Sequence, residues 1–222
     1  MTQIAIVGGN GQVARQLIHV LRRADHEPVA LVRNEDYRAD LESRGAQVRL
    51  LDIEQQDADG FAAAFEGCGA VVFAAGGGAD GNIERKRTVD LEGSLKSIEG
   101  AEKAGIERFV QISAISVDDP LPPDVGEVWQ AYVVAKRDAD AALRASGLKW
   151  TIIRPGRLTD DPGTEKVSLG PDVARGDVTR ADVASVVAAV LDVDATIGKQ
   201  WNLVNGDVPV HEAVQSASAS DE

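Results

Sequence analysis

Two groupings in this 222-residue sequence combine residue types and spacing suited to chemistry. Tyr132 precedes Lys136 by four positions, which on a helix brings both side chains to one face. An ammonium beside a phenol favours the phenolate, moving its pKa from about 10 toward the range of a working general acid. The same lysine is placed to hold ribose hydroxyls. The second grouping is Gly8-Gly9-Asn10-Gly11-Gln12-Val13-Ala14, spaced glycine, two residues, glycine, two residues, alanine. Here Gly8 allows a tight turn, Gly11 lets backbone approach a pyrophosphate, and Ala14 lets a helix pack close to a sheet. Amides at the start of that helix would hold phosphate charge. Each pattern also occurs as plain structure, the glycines as a helix-start turn and the tyrosine and lysine as ordinary helix residues. It is the glycine run's position, between a strand and a helix, that makes it informative.

A dinucleotide on such a turn is read further at the ends of the next strands. Arg33 stands at the end of the second strand, where an acid would take the ribose hydroxyls of NAD and an arginine the 2′-phosphate of NADP. With Arg38 as a second clamp, NADP(H) is preferred over NAD(H), although Glu35 and Asp36 nearby count against a phosphate site. Asp52 and Ile53 are placed to meet the adenine, and Ala74, Ala75 and Gly76 let backbone pass close to the adenosine.

These residues must be held by a regular framework. Apolar runs near residues 3–7, 28–32, 48–51, 70–74, 109–113, 150–153 and 200–204 read as strands. Helical patterns at 11–23, 36–44, 83–104, 128–145 and 180–191 lie between or after them, several stopped by glycine. Thr179 and Asp182 have capping spacing ahead of the last helix. The rhythm implies right-handed βαβ crossovers and an α/β, doubly wound, mostly parallel sheet of about seven strands. Residues 1–214 read as one unit, with 157–178 a loose loop forming a small C-terminal substrate lobe and 215–222 a flexible tail.

Composition bounds the partners. A formal charge of −13 disfavours nucleic acid and anionic membranes, and no apolar run is long enough to span a bilayer. The single cysteine, Cys68, allows no internal disulfide, and the three histidines have no metal-ligand spacing, so no metal is expected. With no basic, apolar leader at the start, the expected location is cytoplasmic. Residues 157–222 carry five basic and twelve acidic side chains, so a neutral substrate is expected there over a strongly anionic one.

The sequence resembles the atypical NAD(P)H-binding branch of the short-chain dehydrogenase/reductase superfamily over nearly all of residues 1–210. The resemblance rests on the run from Ile6 to Gly11, on Leu31-Val32-Arg33, Leu51-Asp52-Ile53 and Phe109-Val110-Gln111-Ile112-Ser113, on Tyr132 with Lys136, and on the runs from Ser146 to Gly156 and from Arg180 to Ala184. It implies a Rossmann fold, bound NADP(H), and hydride transfer with Tyr132 as proton donor and Lys136 as its modulator. It further implies that Pro155 and Gly156 turn the chain beside the nicotinamide. Family enzymes usually carry a serine after the fifth strand to hold the substrate oxygen; here Ala114 stands at that position, flanked by Ser113 and Ser116. Ser113 is taken as the substitute donor, although alternation along a strand points neighbours to opposite faces. The expected function is an NADP(H)-dependent oxidoreductase acting on a small carbonyl, quinone or flavin-like acceptor. A non-catalytic NADP(H) sensor reporting to a protein partner is the alternative, and a nucleotide-sugar epimerase the third reading.

Overall fold

A computed structural model describes residues 1–78, 81–122 and 124–219. Strand β1 (Gln3–Val7) runs into α1 (Gln12–Arg23), then β2 (Glu27–Val32), a 3₁₀ turn (Glu35–Tyr37), α2 (Arg38–Ser43), β3 (Gln47–Leu50), α3 (Ala58–Ala64) and β4 (Ala70–Phe73). The chain continues through α4 (Ile83–Arg85), a π-helical stretch (Lys86–Leu91), α5 (Glu92–Lys103), β5 (Arg108–Ile112), α6 (Glu127–Ala145) and β6 (Lys149–Pro155). The last part holds β7 (Arg157–Thr159), β8 (Lys166–Gly170), β9 (Asp177–Thr179), α7 (Arg180–Leu191), β10 (Lys199–Asn205), β11 (Val208–Pro209) and α8 (Val210–Ala219).

Nine strands form one sheet in the order β11-β8-β10-β6-β5-β4-β1-β2-β3, and β7 pairs separately with β9. The chain order reverses between β1 and β4, whose carboxyl ends open the crevice where α/β sheets bind ligands. Neighbours from β3 to β10 are parallel; β8 runs antiparallel to β10 and β11. Alternation along β1 sends Ile4 and Ile6 to one side and Ala5 and Val7 to the other. Leu17, Ile18 and Leu21 of α1, Val183 and Val187 of α7 and Val214 of α8 cover the first face. Phe61 and Phe65 by α3, Ile98 and Ala101 of α5 and Leu143 of α6 cover the second. Three layers result, with apolar cores on both faces of the sheet.

The framework predicted from the apolar rhythm is present, and the differences lie where composition is small and polar. The stretch 157–178, expected as a loose loop, holds β7, β8 and the start of β9. Its order comes from Asp182, the third residue of α7: the carboxylate accepts from Thr164 N, Glu165 N and the Thr179 hydroxyl, while Thr179 caps the helix by accepting from Asp182 N at 3.0 Å. The chain leaves β6 at Gly156, where a Cβ would stand 2.0 Å from the Gly176 carbonyl oxygen, so only glycine permits β7 to run against the segment entering β9. The expected flexible tail is also corrected. Residues 215–219 continue α8, because Ala213, Val214, Ala217 and Ser218 fall on one buried face at helical spacing. Residues 220–222 lie outside the described residues. Replacing Ala217 with Asp buries a carboxylate against this face and should cost roughly 2–3 kcal/mol in urea denaturation, whereas a frayed tail would tolerate the change.

Candidate active site

The first βα turn builds one end of the site. Gly8 has φ +81°, and a Cβ there would lie 2.7 Å from Ala75 Cα, so glycine is required for the turn to pass β4. Gly11 then opens α1 with no side-chain cap and no acidic residue in the first turn, leaving the helix amides for an outside acceptor. A cleft of about 280 Å³ lies over these strand ends, lined by Gly8, Asn10, Gly11, Arg33, Asp52, Ile53, Ala74, Ala75 and Gly76. Uncapped amides, apolar walls and arginines at one end fit an anionic dinucleotide. Arg33 and Arg85 both reach toward Glu54 Oε2, at 3.9 and 3.8 Å.

Of the expected cofactor residues, Gln12 and Val13 offer backbone amides and, like Gly9, do not line the cleft itself. Gly9 packs against Ala30, and the Val13 side chain packs into the core. Arg38 is not a phosphate clamp: its guanidinium binds Glu35, Glu42 and the Val48 carbonyl, and the two glutamates raise its pKa. The glutamate that starts the 3₁₀ turn and the one four residues after Arg38 capture it locally.

Beyond Gly76 a larger cavity of about 1120 Å³ opens between the ends of β5 and β6, α6 and the β7–β9 pair. Tyr132, Trp129, Ala114, Pro155 and Gly156 line it. The Trp129 and Tyr132 rings are 5.3 Å apart, and Trp129 remains half exposed. Lys86 Nζ stands 5.8 Å from the Tyr132 ring centre and Lys136 Nζ 6.0 Å.

Beneath Tyr132, α6 carries a polar stripe into the protein. Lys136 Nζ is 3.3 Å from Asp90 Oδ1, 3.3 Å from the Ile112 carbonyl and 3.5 Å from that of Ala75. Asp90 also accepts from Gly77 N at 2.8 Å, tying the glycine run between the two cavities to the lysine. One turn further, buried Asp140 accepts from Gln111 Nε2 (2.6 Å), Ser113 Oγ (2.7 Å) and Arg154 Nε (2.9 Å). Ser113 therefore is not the expected oxyanion donor: its hydroxyl is given to Asp140 and the residue does not line the cavity. Ser116, at φ +62°, does not line it either, and Ala114 does.

Electrostatics also differ from the expectation. Burial pushes the Tyr132 phenol above its ordinary value, and the opposing pull of Lys136 is not enough, since Asp90 and Asp140 add to the rise. Burial works against the Lys136 ammonium, but Asp90, Tyr132 and Asp140 outweigh it and hold the amine charged. Burial, with Asp90 and Asp140, thus keeps the tyrosine a neutral proton donor, and Lys136 pulls the other way without prevailing.

Sequence reasoning missed Arg85, Lys86, Asp90 and Asp140. A signal existed: Lys86, Asp90, Ser94 and Ser97 recur at helical spacing within the expected 83–104 helix, and all four are buried. Asp140 likewise lies four residues after Lys136. The π-helical turn itself has no such signal; insertions of this kind gather at functional sites.

A crevice at the switch point, a glycine turn feeding an uncapped helix, and a tyrosine and lysine on one face of α6 define a Rossmann-fold protein of the atypical short-chain dehydrogenase/reductase type. The chain belongs to the NAD(P)H-binding family, whose profile matches residues 8–194. It is 40% identical over 214 residues to "Uncharacterized sugar epimerase YhfK" of Bacillus subtilis (strain 168), covering 96% of this chain and 99% of that one. A solved Bacillus halodurans structure, provisionally named an NAD-dependent epimerase/dehydratase, has TM-score 0.90 and 39% identity over 97% of this chain and 100% of its own. ChuY of Escherichia coli O157:H7, named an anaerobilin reductase, has TM-score 0.73 and 26% identity, covering 93% of this chain and 98% of ChuY. Among the described residues, no helix is long and apolar enough to cross a membrane.

The role of Asp90 can be read optically, because Tyr37 and Tyr132 are the two tyrosines of the sequence. In a Tyr37→Phe background, phenolate absorbance should appear only above the ordinary tyrosine range. Adding Asp90→Asn removes the charge facing Lys136 and should move that transition to lower pH. An unmoved transition would show that Asp90 does not act on the phenol.

Proposed function

We propose that this protein is an NADPH-dependent reductase of conjugated carbonyl, quinone or flavin-like acceptors, with Tyr132 as the proton donor. The observation that carries the reading is a half-buried tyrosine lining the larger cavity, its phenol held above its ordinary pKa, next to the glycine run that leads from the dinucleotide cleft. Bound NADPH supplies the hydride. Gly8 to Gly11 and the first amides of α1 bind its pyrophosphate, while Ile53 and Ala74 wall the adenosine. Arg33, together with Arg85, holds the 2′-phosphate, which replaces the long contacts these arginines make with Glu54. Pro155 and Gly156 flank the nicotinamide end.

An acceptor in the larger cavity rests against Trp129 and Tyr132. As its carbon or ring nitrogen takes the hydride, Tyr132 Oη gives its proton to the oxygen or nitrogen that gains charge, and water restores the phenol. Lys136 is the positioning group: its ammonium, fixed by Asp90 and two carbonyls, steadies the phenolate that forms for a moment above it. Among the described residues, no serine lines the cavity to serve the developing anion. Lys86, on the cavity wall beside the Tyr132 ring, supplies positive charge in its stead. The names of ChuY and of sanguinarine reductase, the latter 28% identical over 138 residues, support reduction of a conjugated acceptor.

Purified protein with NADPH should oxidise it in the presence of at least one member of a panel of quinones, flavins and conjugated carbonyls. Tyr132→Phe should lower that turnover at least about 100-fold with NADPH affinity within a few-fold. Unchanged turnover in the variant removes the acid role. A second reading, the NADPH sensor, is favoured by the diversion of Ser113 to Asp140. Tight NADPH binding with no oxidation by any acceptor supports it, and sugar-nucleotide interconversion without net NADPH loss supports the epimerase named among the relatives.

Cofactor preference is tested separately by fluorescence titration. NADPH should bind about ten-fold or more tightly than NADH, and Arg33→Ala with Arg85→Ala should bring the two within a few-fold. Equal affinities in the unaltered protein contradict the 2′-phosphate assignment.

A further inference from the structure

We propose that the acceptor is an acid: a flat conjugated body seated on Trp129 and Tyr132, its anionic groups held by Arg157, Arg175, Arg180 and Lys86. This deepens the reductase reading, relying on it only for the statement that the larger cavity receives the acceptor. It also reverses the expectation, drawn from the charge of residues 157–222, that the substrate is neutral.

The charge on the cavity wall is opposite to that of the chain. The protein carries −13, yet the wall presents four cations and, among the described residues, one carboxylate, Asp177. The distribution is sharper within the lobe. Residues 157–222 contain five basic side chains, and three of them face this one cavity. None of the four cations lines the dinucleotide cleft, whose arginines are Arg33 and Arg85, so cofactor phosphate does not account for them.

Their present partners leave capacity for a ligand. Arg157 is held by Asp177, with Nε 2.8 Å from Oδ1. Arg180 gives one N–H to Asp160, an exposed residue outside the wall, at 2.8 Å. Lys86 is buried and bonds to a carbonyl, that of Gly78, with no carboxylate in contact among the described residues. Arg175 makes no hydrogen bond or ion pair with the described residues. A buried ammonium and an unpaired guanidinium on one wall are complemented by a carboxylate or another oxyanion, with charge-assisted bonds stronger than neutral ones.

The body of the ligand follows from the remainder of the wall. Ile115, Val128 and Leu158 are apolar, and the Trp129 indole is 47% exposed, its ring tilted 36° to that of Tyr132. An exposed large aromatic beside a second one offers a stacking platform. At about 1120 Å³ the cavity is at the upper end of small-molecule sites, which suits a polycyclic acid more than a small aldehyde.

The test uses two fluorescent probes of matched shape, the anionic 8-anilinonaphthalene-1-sulfonate and the neutral N-phenyl-1-naphthylamine. Each is titrated into the full chain with and without saturating NADP⁺. The anion should bind about ten-fold or more tightly, and the preference should shrink as salt is raised. In the Arg175→Ala/Arg180→Ala double variant, checked for an unchanged melt, the two affinities should fall within about two-fold through loss of the anion's affinity alone. Arg175→Lys/Arg180→Lys should keep part of the preference. Equal affinities in the unaltered protein, a preference that survives removal of both arginines, or no saturable binding of either probe would each overturn the proposal. Its fate is separable from that of the reductase reading. Turnover with neutral quinones and no anion preference leaves the reductase and removes the acid; anion preference with no acceptor reduced does the reverse.

Discussion

A helix that carries a half-buried tyrosine and buries a lysine and an aspartate on the same face sets the terms for everything around it. Tyr132, Lys136 and Asp140 lie at successive four-residue steps of α6, and the latter two are almost wholly removed from solvent. Burying isolated charges is prohibitive, so each neighbour has to bring a partner. The π-helical stretch brings Asp90, the segment after β4 and the end of β5 turn the carbonyls of Ala75 and Ile112 to the lysine, and β5, the residue that follows it and β6 supply Gln111, Ser113 and Arg154 to the aspartate. The register between the sheet's carboxyl edge and α6 is thereby fixed by polar geometry, where apolar packing alone would tolerate sliding.

This arrangement explains the lost serine. A hydroxyl at Ser113 cannot both complete the shell of Asp140 and face the cavity, and the buried carboxylate has the stronger claim because an unmet acceptor there is costly. The neighbouring residue that does face the cavity is Ala114, which has no donor. Removing a preorganised donor costs on the order of 10²–10³ in rate where nothing replaces it. Lys86, held in the same π-helical turn that supplies Asp90, brings an ammonium to the same wall. One local change in helical winding thus serves both the foundation of the site and its surface.

How much of this the sequence discloses depends on whether a signal is local. The Gly8–Gly11 turn and the apolar stripe of α1 are written in consecutive residues, so their places were legible. So was the spacing of Tyr132 and Lys136, though not the sign of its effect: proximity to an ammonium is a local fact, whereas desolvation and Asp90 arrive from elsewhere in the chain. Arg38 was misread although Glu35 beside it already counted against a phosphate site, because its second competitor, Glu42, acts at a helical distance that becomes visible only once α2 is formed. The β8 strand and α8 were missed for a different reason. Both are built largely from small or polar residues whose order comes from long-range contacts, β8 on β10, Asp182 on Thr164 and Glu165, and α8 on β8 and α7.

Net charge illustrates the same boundary between composition and placement. At −13 the protein as a whole repels anions, and the C-terminal lobe is more acidic per residue than the remainder. Screening limits that field to a Debye length of about 8 Å, so a ligand inside a cavity responds mainly to the side chains on its wall. Asp160 and Asp177 do not cancel the cationic wall so much as orient it, each holding an arginine by its guanidinium beside the opening. The acidic excess then has two separable effects: on the outer surface it favours solubility, and at the lobe it preorganises the arginines so that less side-chain entropy is lost when an anion arrives. A lobe rich in carboxylates is therefore compatible with an acid-binding site, provided the carboxylates stand behind the arginines and not in front of them.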